Sequence, residues 1–411
     1  MSAVTGLGAR LRQAREWAGF SQQDVADEIG VAREVLSYWE NEHRIPGLGQ
    51  LRGLAEVFGV PVERLLDDEL APVPDQEHAL LYRDLDPRAI RTRAGVGRWL
   101  AFLDEWADLR EECGDTLAGR AAPANPAWRT PAAITDSRRA STLAAEVRAY
   151  YRLGSDAIPD LAAFLDQQGV LVYRAWLDRL EEGGVSGAFY NHPRLGPCVL
   201  VNANTTPGRQ AFTLAHEFAH ALFHYQERGL ISRADDPDRK ERLADEFASH
   251  FLVPGDKLRD LVVRHGDQVV SPFEVIRLQR YFRVSYATML IRLRGTGLLS
   301  PEQYEEYRRY SPSDLASRLG FDCDEYRPPT DPRGVTLAAY PTSVLERIQI
   351  LVRDGDLGLA SAASLLNVSQ EEVTEELLAA PKPAKSEEER EFAELPRPAV
   401  PRTRRKEVVT R

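Results

Sequence analysis

The stretch TLAHEFAHALFHY, residues 213 to 225, sets three histidines and a glutamate in a largely apolar run. Residues four apart share a helical face, so His216 and His220 can aim imidazole nitrogens at one metal ion. Glu217, beside the first histidine, is angled to sit next to such an ion and handle a water. This is the H-E-x-x-H arrangement of zinc peptidases. Phe212, Leu214, Ala215, Phe218, Ala219, Leu222 and Phe223 surround the ionisable stripe and predict a buried helix. Titrating groups are costly to bury unless they are paired or hold a metal. Thr206 and Pro207 read as the N-cap and first residue of the same helix.

A catalytic zinc needs a third protein ligand. His224 continues the stripe, but its Cα stands about 12 Å along the helix axis from that of His216. An ion about 2 Å from each nitrogen cannot serve all three histidines. His224 is therefore expected to pack or hydrogen-bond beside the site. In ERLADEFA, Glu241, Ala244, Asp245 and Ala248 share a face, while Leu243, Phe247 and Phe251 point to a core. The two alanines would let this helix approach the first closely. Glu241 is the expected third ligand. Asp245, one turn on, is the expected acceptor for the non-ligating nitrogen of His216 or His220; Glu246 reads as a solvated acid. Zinc in this set would acidify a water and polarise a carbonyl, with Glu217 carrying the proton to a leaving amine. Tyr190, His192 and Arg209 are candidates for an oxyanion donor. The strand PCVLVNA could pair with an extended peptide.

The elements that must hold these groups are legible in outline. At 411 residues the chain has room for two or three cores. No apolar run approaches the roughly twenty residues that span a bilayer, and MSAVTGLGARLRQAREW lacks a secretory apolar stretch. Cys113, Cys198 and Cys323 lie far apart, which argues against a disulfide framework or a thiolate metal site. The expectation is a cytoplasmic protein with no membrane partner. From about 135 the sequence turns α/β: helices STLAAEVRAYYRLG and IPDLAAFLDQQG, a strand VLVYRAW, a turn-rich segment, then PCVLVNA and the histidine helix. FEVIRLQRYFRVSYATMLIRLRGTGLL reads as a helical pair.

VNANTTPGRQAFTLAHEFAHALFH followed by ERLADEFASHFLVP resembles the ImmA/IrrE family of metallopeptidases. IPDLAAFLDQQGVLVY and FRVSYATMLIRLRGTGLL are similar to that family too, so the resemblance covers roughly residues 135 to 305. It implies a zincin-like fold and cleavage of a helix-turn-helix repressor. By this resemblance His216, His220 and Glu241 match the ligands and Glu217 the base. Family members commonly carry Asn at the position of Asp245, and either residue accepts the same bond.

Residues 6 to 70 resemble the Xre, or lambda-repressor-like, helix-turn-helix family through SQQDVADEIGVAREVLSYWENEHRIP. Ala26 permits close packing, Gly30 makes the turn, and Val31, Leu36 and Trp39 read as core. The resemblance implies double-stranded DNA as partner, with Gln22 and Asn41 on the backbone and Arg33, Glu34, Ser37 and Tyr38 at base edges. Net charge of −11, with seven Lys/Arg against twelve Asp/Glu in residues 1–70, predicts weak, salt-sensitive phosphate binding that a homodimer would strengthen. A helix-turn-helix used for protein contact is the alternative.

The expected architecture is multidomain and mainly α. It comprises an all-α head (1–70), a linker with an amphipathic helix bearing Trp99, Leu103 and Trp106 (71–134), an α+β zincin-like domain (135–310), a C-terminal helical region (311–380) and a disordered tail (381–411). Residues 357–378 have a helix-turn-helix rhythm that reads more readily as packing than as a second DNA reader. The expected function is a DNA-binding regulator with a zinc endopeptidase domain. The alternative is a non-enzymatic regulator whose peptidase-like fold senses a signal.

Overall fold

A capping box starts the second helix of the head: Ser21 Oγ accepts from the Asp24 amide, and the Asp24 carboxylate accepts from Ser21 N. Among the described residues the head has five helices, α1 (Leu7–Trp17), α2 (Gln22–Glu28), α3 (Arg33–Glu40), α4 (Leu48–Phe58) and α5 (Val62–Leu66). They close on Leu11, Val25, Leu36, Trp39, Leu54 and Phe58, all fully buried. Under this core the buried Glu40 carboxylate receives Arg15 Nε at 2.6 Å and Nη2 at 3.2 Å, and the Gln22 amide at 2.9 Å. The computed structural model describes residues 6–60, 62–66, 81, 85–86, 89–115, 137–180, 184–225, 229–233, 238–264, 270–328 and 336–379. Much of the expected linker on either side of its helix (71–80 and 116–134), and the expected disordered tail (381–411), lie outside these residues.

Helix α6 (Ile90–Glu112) corrects the reading of a linker helix. A tether would be wet on most sides, whereas α6 is held on two. Towards the head, Arg93 Nε donates to the Ala18 carbonyl at 2.7 Å and Arg98 Nη1 to that of Glu56 at 3.2 Å. Towards the sheet, Trp99, Phe102, Leu103 and Trp106 join one core with Leu171, Tyr173, Tyr190 and Leu200.

That sheet has the order β1-β3-β2-β4, built from β1 (Leu171–Ala175), β2 (Val185–His192), β3 (Gly196–Asn202) and β4 (Gly229–Arg233). β1 runs parallel to β3, and the other pairs are antiparallel. Alternation along β3 separates the two faces: Val199 and Val201 join the core under the histidine helix, Cys198 and Leu200 the core under α6. Two expectations are corrected here. β3 is hydrogen-bonded on both sides, so PCVLVNA has no free edge for a peptide; among the described residues the edges are β1 and β4. The segment read as turn-rich contains β2, whose glycine and asparagine are tolerated because both its faces are covered.

On the inner face lie α7 (Ala140–Tyr150), α8 (Leu161–Gln167), α9 (Pro207–Phe223) and α10 (Arg239–Leu252). They are followed by α11 (Gly255–Arg264), the expected pair α12 (Pro272–Phe282) and α13 (Tyr286–Gly295), and α14 (Pro301–Tyr307) and α15 (Pro312–Arg318). On the outer face α16 (Thr342–Asp354) and α17 (Leu359–Leu365) place Val344, Ile348 and Ala362 in the core that also holds Trp99 and Phe102 of α6. Asp166 receives Ser343 N at 2.8 Å, and Arg347 pairs with Asp115 at 2.8 Å. The repeat-like segment 357–378 is thus part of the packing. Among the described residues the fold is mainly helical and multidomain, with one small mixed sheet.

Candidate metal centre

α9 and α10 meet through small residues: Ala215, Ala219, Ala244 and Ala248 are each fully buried. Thr206 takes the extended N-cap conformation at the start of α9, with Pro207 in the first turn, but its side chain makes no cap bond. Asp238 caps α10 by accepting from the Lys240 amide at 2.6 Å.

The close approach brings two imidazoles and a carboxylate together. Glu241 Oε2 lies 3.0 Å from His216 Nε2, Glu241 Oε1 lies 3.2 Å from His220 Nε2, and the two Nε2 atoms are 3.1 Å apart. Atoms about 2 Å from a tetrahedral ion stand about 3.3 Å from one another, so this spacing fits an ion at their centre. Two imidazoles and a carboxylate also form a donor set used at catalytic zinc sites. His216, His220 and Glu241 are all buried.

Each histidine is held at its other nitrogen. His216 Nδ1 donates to Asp245 Oδ1 at 2.9 Å, and His220 Nδ1 faces His224 Nδ1 at 2.9 Å. Asp245 is half exposed, whereas His224 is buried.

Glu217 is 0% exposed, and neither carboxylate oxygen has a hydrogen-bond partner among the described residues. Buried polar groups are normally partnered, so this orphan carboxylate marks a place for a polar species that the protein itself does not supply. It lies against β2 at Gly187, where a Cβ would stand 2.7 Å from Glu217 Oε1, 2.5 Å from Thr213 Cγ2 and 2.9 Å from the Leu200 carbonyl. Ser232 on β4 is near enough to lower the Glu217 pKa slightly without a well-formed hydrogen bond. Gly187 and Ser232 escaped the sequence reading. A glycine inside a strand is the available signal for the first.

The electrostatics of the ion-free site follow from burial and pairing. Burial pushes the Glu217 carboxyl up to about 8, against the pull of His216. Burial alone would lower His216, but its bonds to Asp245 and Glu241 outweigh that and raise it to about 10. His220 is lowered, by burial first and by the charge of His216. Burial would raise Glu241, yet hydrogen bonds from His216 and His220 hold it well below the usual carboxylate range.

Of the oxyanion candidates, two turn away from Glu217. Tyr190 packs edge-on against Trp99 in the outer-face core. His192 Nε2 lies 3.3 Å from Asp104, and its Nδ1 accepts from the amides of Arg194 and Leu195. Arg209 stands on α9 seven residues before His216, with Nε buried and without a hydrogen-bond partner among the described residues.

In the head, Arg33, Glu34 and Tyr38 are exposed on α3, and Ser37 is half-buried. Gln22 commits its amide N–H to Glu40. Asn41 donates to the Ser37 carbonyl at 2.8 Å and accepts from Arg12 at 2.7 Å, so it is positioned from both ends.

A helix-turn-helix family model matches residues 11–65, and the model described as the IrrE N-terminal-like domain, of the M78 peptidases, matches residues 166–294. The chain thus joins a helix-turn-helix domain to an IrrE-like metallopeptidase-family domain. It is similar to the HTH-type transcriptional regulator RamB of Mycobacterium tuberculosis, 25% identical over 322 residues that cover 70% of this chain and 65% of that protein. The match therefore spans just under two thirds of that relative. Over 60 residues it is 33% identical to the HTH-type transcriptional regulator ImmR of Bacillus subtilis, covering 15% of this chain and 47% of that protein. Over 75 residues it is 36% identical to the radiation response metalloprotease IrrE of Deinococcus deserti, covering 16% and 26% respectively. No helix among the described residues is long and apolar enough to cross a membrane.

Proposed function

We propose that this chain is a cytoplasmic, DNA-binding transcription regulator whose IrrE-like domain is a zinc-dependent endopeptidase acting on a helix-turn-helix repressor. The observation that carries the reading is the convergence of His216, His220 and Glu241 beside the orphan carboxylate of Glu217. Zinc bound by those three residues would supply Lewis acidity towards a water and a scissile carbonyl. Glu217 acts as the proton carrier, taking a proton from the attacking water and returning it to the leaving amine. Asp245 orients His216 by accepting from Nδ1. Gly187 leaves the space in which the Glu217 carboxylate sits. An extended peptide would add to β4, the sheet edge next to β2, rather than to the enclosed β3.

In the head, Arg33, Glu34, Ser37 and Tyr38 are assigned to base edges and Gln22 and Asn41 to the phosphate side, with a homodimer supplying the affinity that an acidic domain lacks. The test pairs zinc content with proteolysis of co-expressed helix-turn-helix repressors by wild type and Glu217→Gln. Zinc in both, with cleavage by wild type alone, supports the assignment; cleavage by the variant, or by neither, removes it. In the second case the domain is a sensor, a reading favoured by the long match to a protein named as a regulator.

A further inference from the structure

We infer that His224 is the positioning residue for His220, fixing which ring nitrogen of that residue is available to the metal. The inference rests on the metal-site reading above. The two rings are tilted at 46° with centroids 5.0 Å apart, and their Nδ1 atoms are 2.9 Å apart. His220 Nε2 points the other way, towards His216 Nε2 and Glu241 Oε1. A neutral imidazole carries one proton, on one nitrogen or the other. For Nε2 to offer a lone pair, the proton must sit on Nδ1, and that N–H needs an acceptor. His220 is fully buried, and the group facing its Nδ1 at hydrogen-bond distance is His224 Nδ1. His224 Nδ1 is the acceptor in place, with its own proton on Nε2.

Backbone geometry supports the assignment. His224 is the C-cap of α9, with φ −121°, and its amide donates to the His220 carbonyl at 2.8 Å. Four residues beyond His220, its ring lies on the same helical face and meets that of His220. The two ligand histidines are thus oriented by different chemistry, His216 by a half-exposed carboxylate and His220 by a buried neutral ring. The difference has an electrostatic reason. Glu217, Glu241 and Asp245 already place three acids around the site. A fourth at position 224, buried, would carry a desolvation cost that imidazole avoids.

The test measures zinc affinity of the full-length protein by competition with a chromophoric chelator, with the unfolding temperature of the ion-free protein measured in parallel. His224→Leu keeps apolar bulk but removes the acceptor. His224→Asn places Oδ1 about where Nδ1 was and restores it. The Leu variant is expected to bind zinc about 10- to 100-fold more weakly than wild type, and the Asn variant to recover most of that loss. Cobalt substituted for zinc should report the same order through its visible absorption. Affinity of the Leu variant within about threefold of wild type, well short of the expected loss, overturns the inference. So does an equal loss in both variants that follows their unfolding temperatures, since that marks a packing role. Failure of the wild type itself to bind zinc instead overturns the metal-site reading.

Discussion

Gly187 and Glu217 interlock across the boundary between sheet and helix: a Cβ on the glycine would stand 2.7 Å from Oε1 of the carboxylate. The neighbouring atoms leave little room to adjust, because the Leu200 carbonyl belongs to the paired strand β3 and the Thr213 methyl to α9. Gly187→Ala should therefore move the Glu217 side chain rather than the backbone. Overpacking of this kind costs about 1 to 3 kcal/mol. Zinc content is expected to persist, since none of the three donors touches position 187, while repressor cleavage falls at least about tenfold. Cleavage at the wild-type rate would show that the placement of Glu217 is not what the glycine protects.

Ion uptake should be tied to pH. His216, raised to about 10, carries a proton at neutral pH in the ion-free site and must give it up to bind a metal. Zinc binding at pH 7 is expected to release at least one proton, and apparent affinity should rise about tenfold per pH unit above neutrality. Calorimetry in two buffers of different ionisation enthalpy measures the release directly; no release contradicts the pairing. The same shifts set the stability of chelator-treated protein. The His216 contribution is full below its ordinary 6.5 and is lost as pH rises through about 10. The Glu217 contribution is likewise lost as pH rises from its ordinary 4.5 through about 8. Both signs agree, so the ion-free domain should melt lower at pH 9 than at pH 6, and Glu217→Gln should reduce the difference.

The buried Arg15–Glu40 pair should matter to the head out of proportion to its size. Both Arg15 Nε and Nη2 reach the carboxylate, which is fully enclosed. Burial would lower the Arg15 pKa, but Glu40 more than offsets this and raises it. Removing one member of such a pair leaves the other uncompensated and costs about 3 to 5 kcal/mol. Glu40→Ala is thus expected to unfold the head at markedly lower urea concentration, while Arg15→Met with Glu40→Leu together should recover much of the loss. Equal instability of single and double variants would argue that packing, and not the stranded charge, is responsible.

Part of the candidate site could be read from spacing, because a helix converts sequence intervals into geometry: His216 with His220, and Glu241 with Asp245. That the two helices meet was expected from Ala244 and Ala248 and from the family resemblance, and the structure brings Glu241 to both histidines and Asp245 to His216. The Arg15–Glu40 pair and the Gly187–Glu217 contact could not be read so, because both join elements whose separation in sequence says nothing of their separation in space. β2 was obscured for a related reason: VSGAFYNH owes its extended form to partners on both sides and cover on both faces, not to its own propensity. The sheet order decides which strand offers an edge, and no property local to PCVLVNA encodes that it lies inside. Helix α6 was legible as a helix with a tryptophan stripe, but the second surface it presents to the head was not.

That second surface supplies a last test, of how the head and the sheet are coupled. Gly59 ends α4 in the left-handed region, φ +68°, and a Cβ there would stand 2.5 Å from the Ala94 carbonyl and 3.1 Å from the Arg98 amide of α6. Two costs would follow from Gly59→Ala, one of backbone conformation and one of contact. Gly30 separates them, since it has nearly the same φ, +69°, with no atom within 4 Å of its Cβ position. Gly30→Ala should cost the head only the left-handed penalty, about 1 kcal/mol. Gly59→Ala should cost that and also push the head off α6, loosening the bonds from Arg93 to Ala18 and from Arg98 to Glu56. Thermal unfolding of Gly59→Ala is then expected to split, with the head melting before the IrrE-like domain, whereas Gly30→Ala shifts the head without changing its coupling. Equal profiles for the two variants would mean that the Gly59 contact does not couple the head to the helix that carries the sheet.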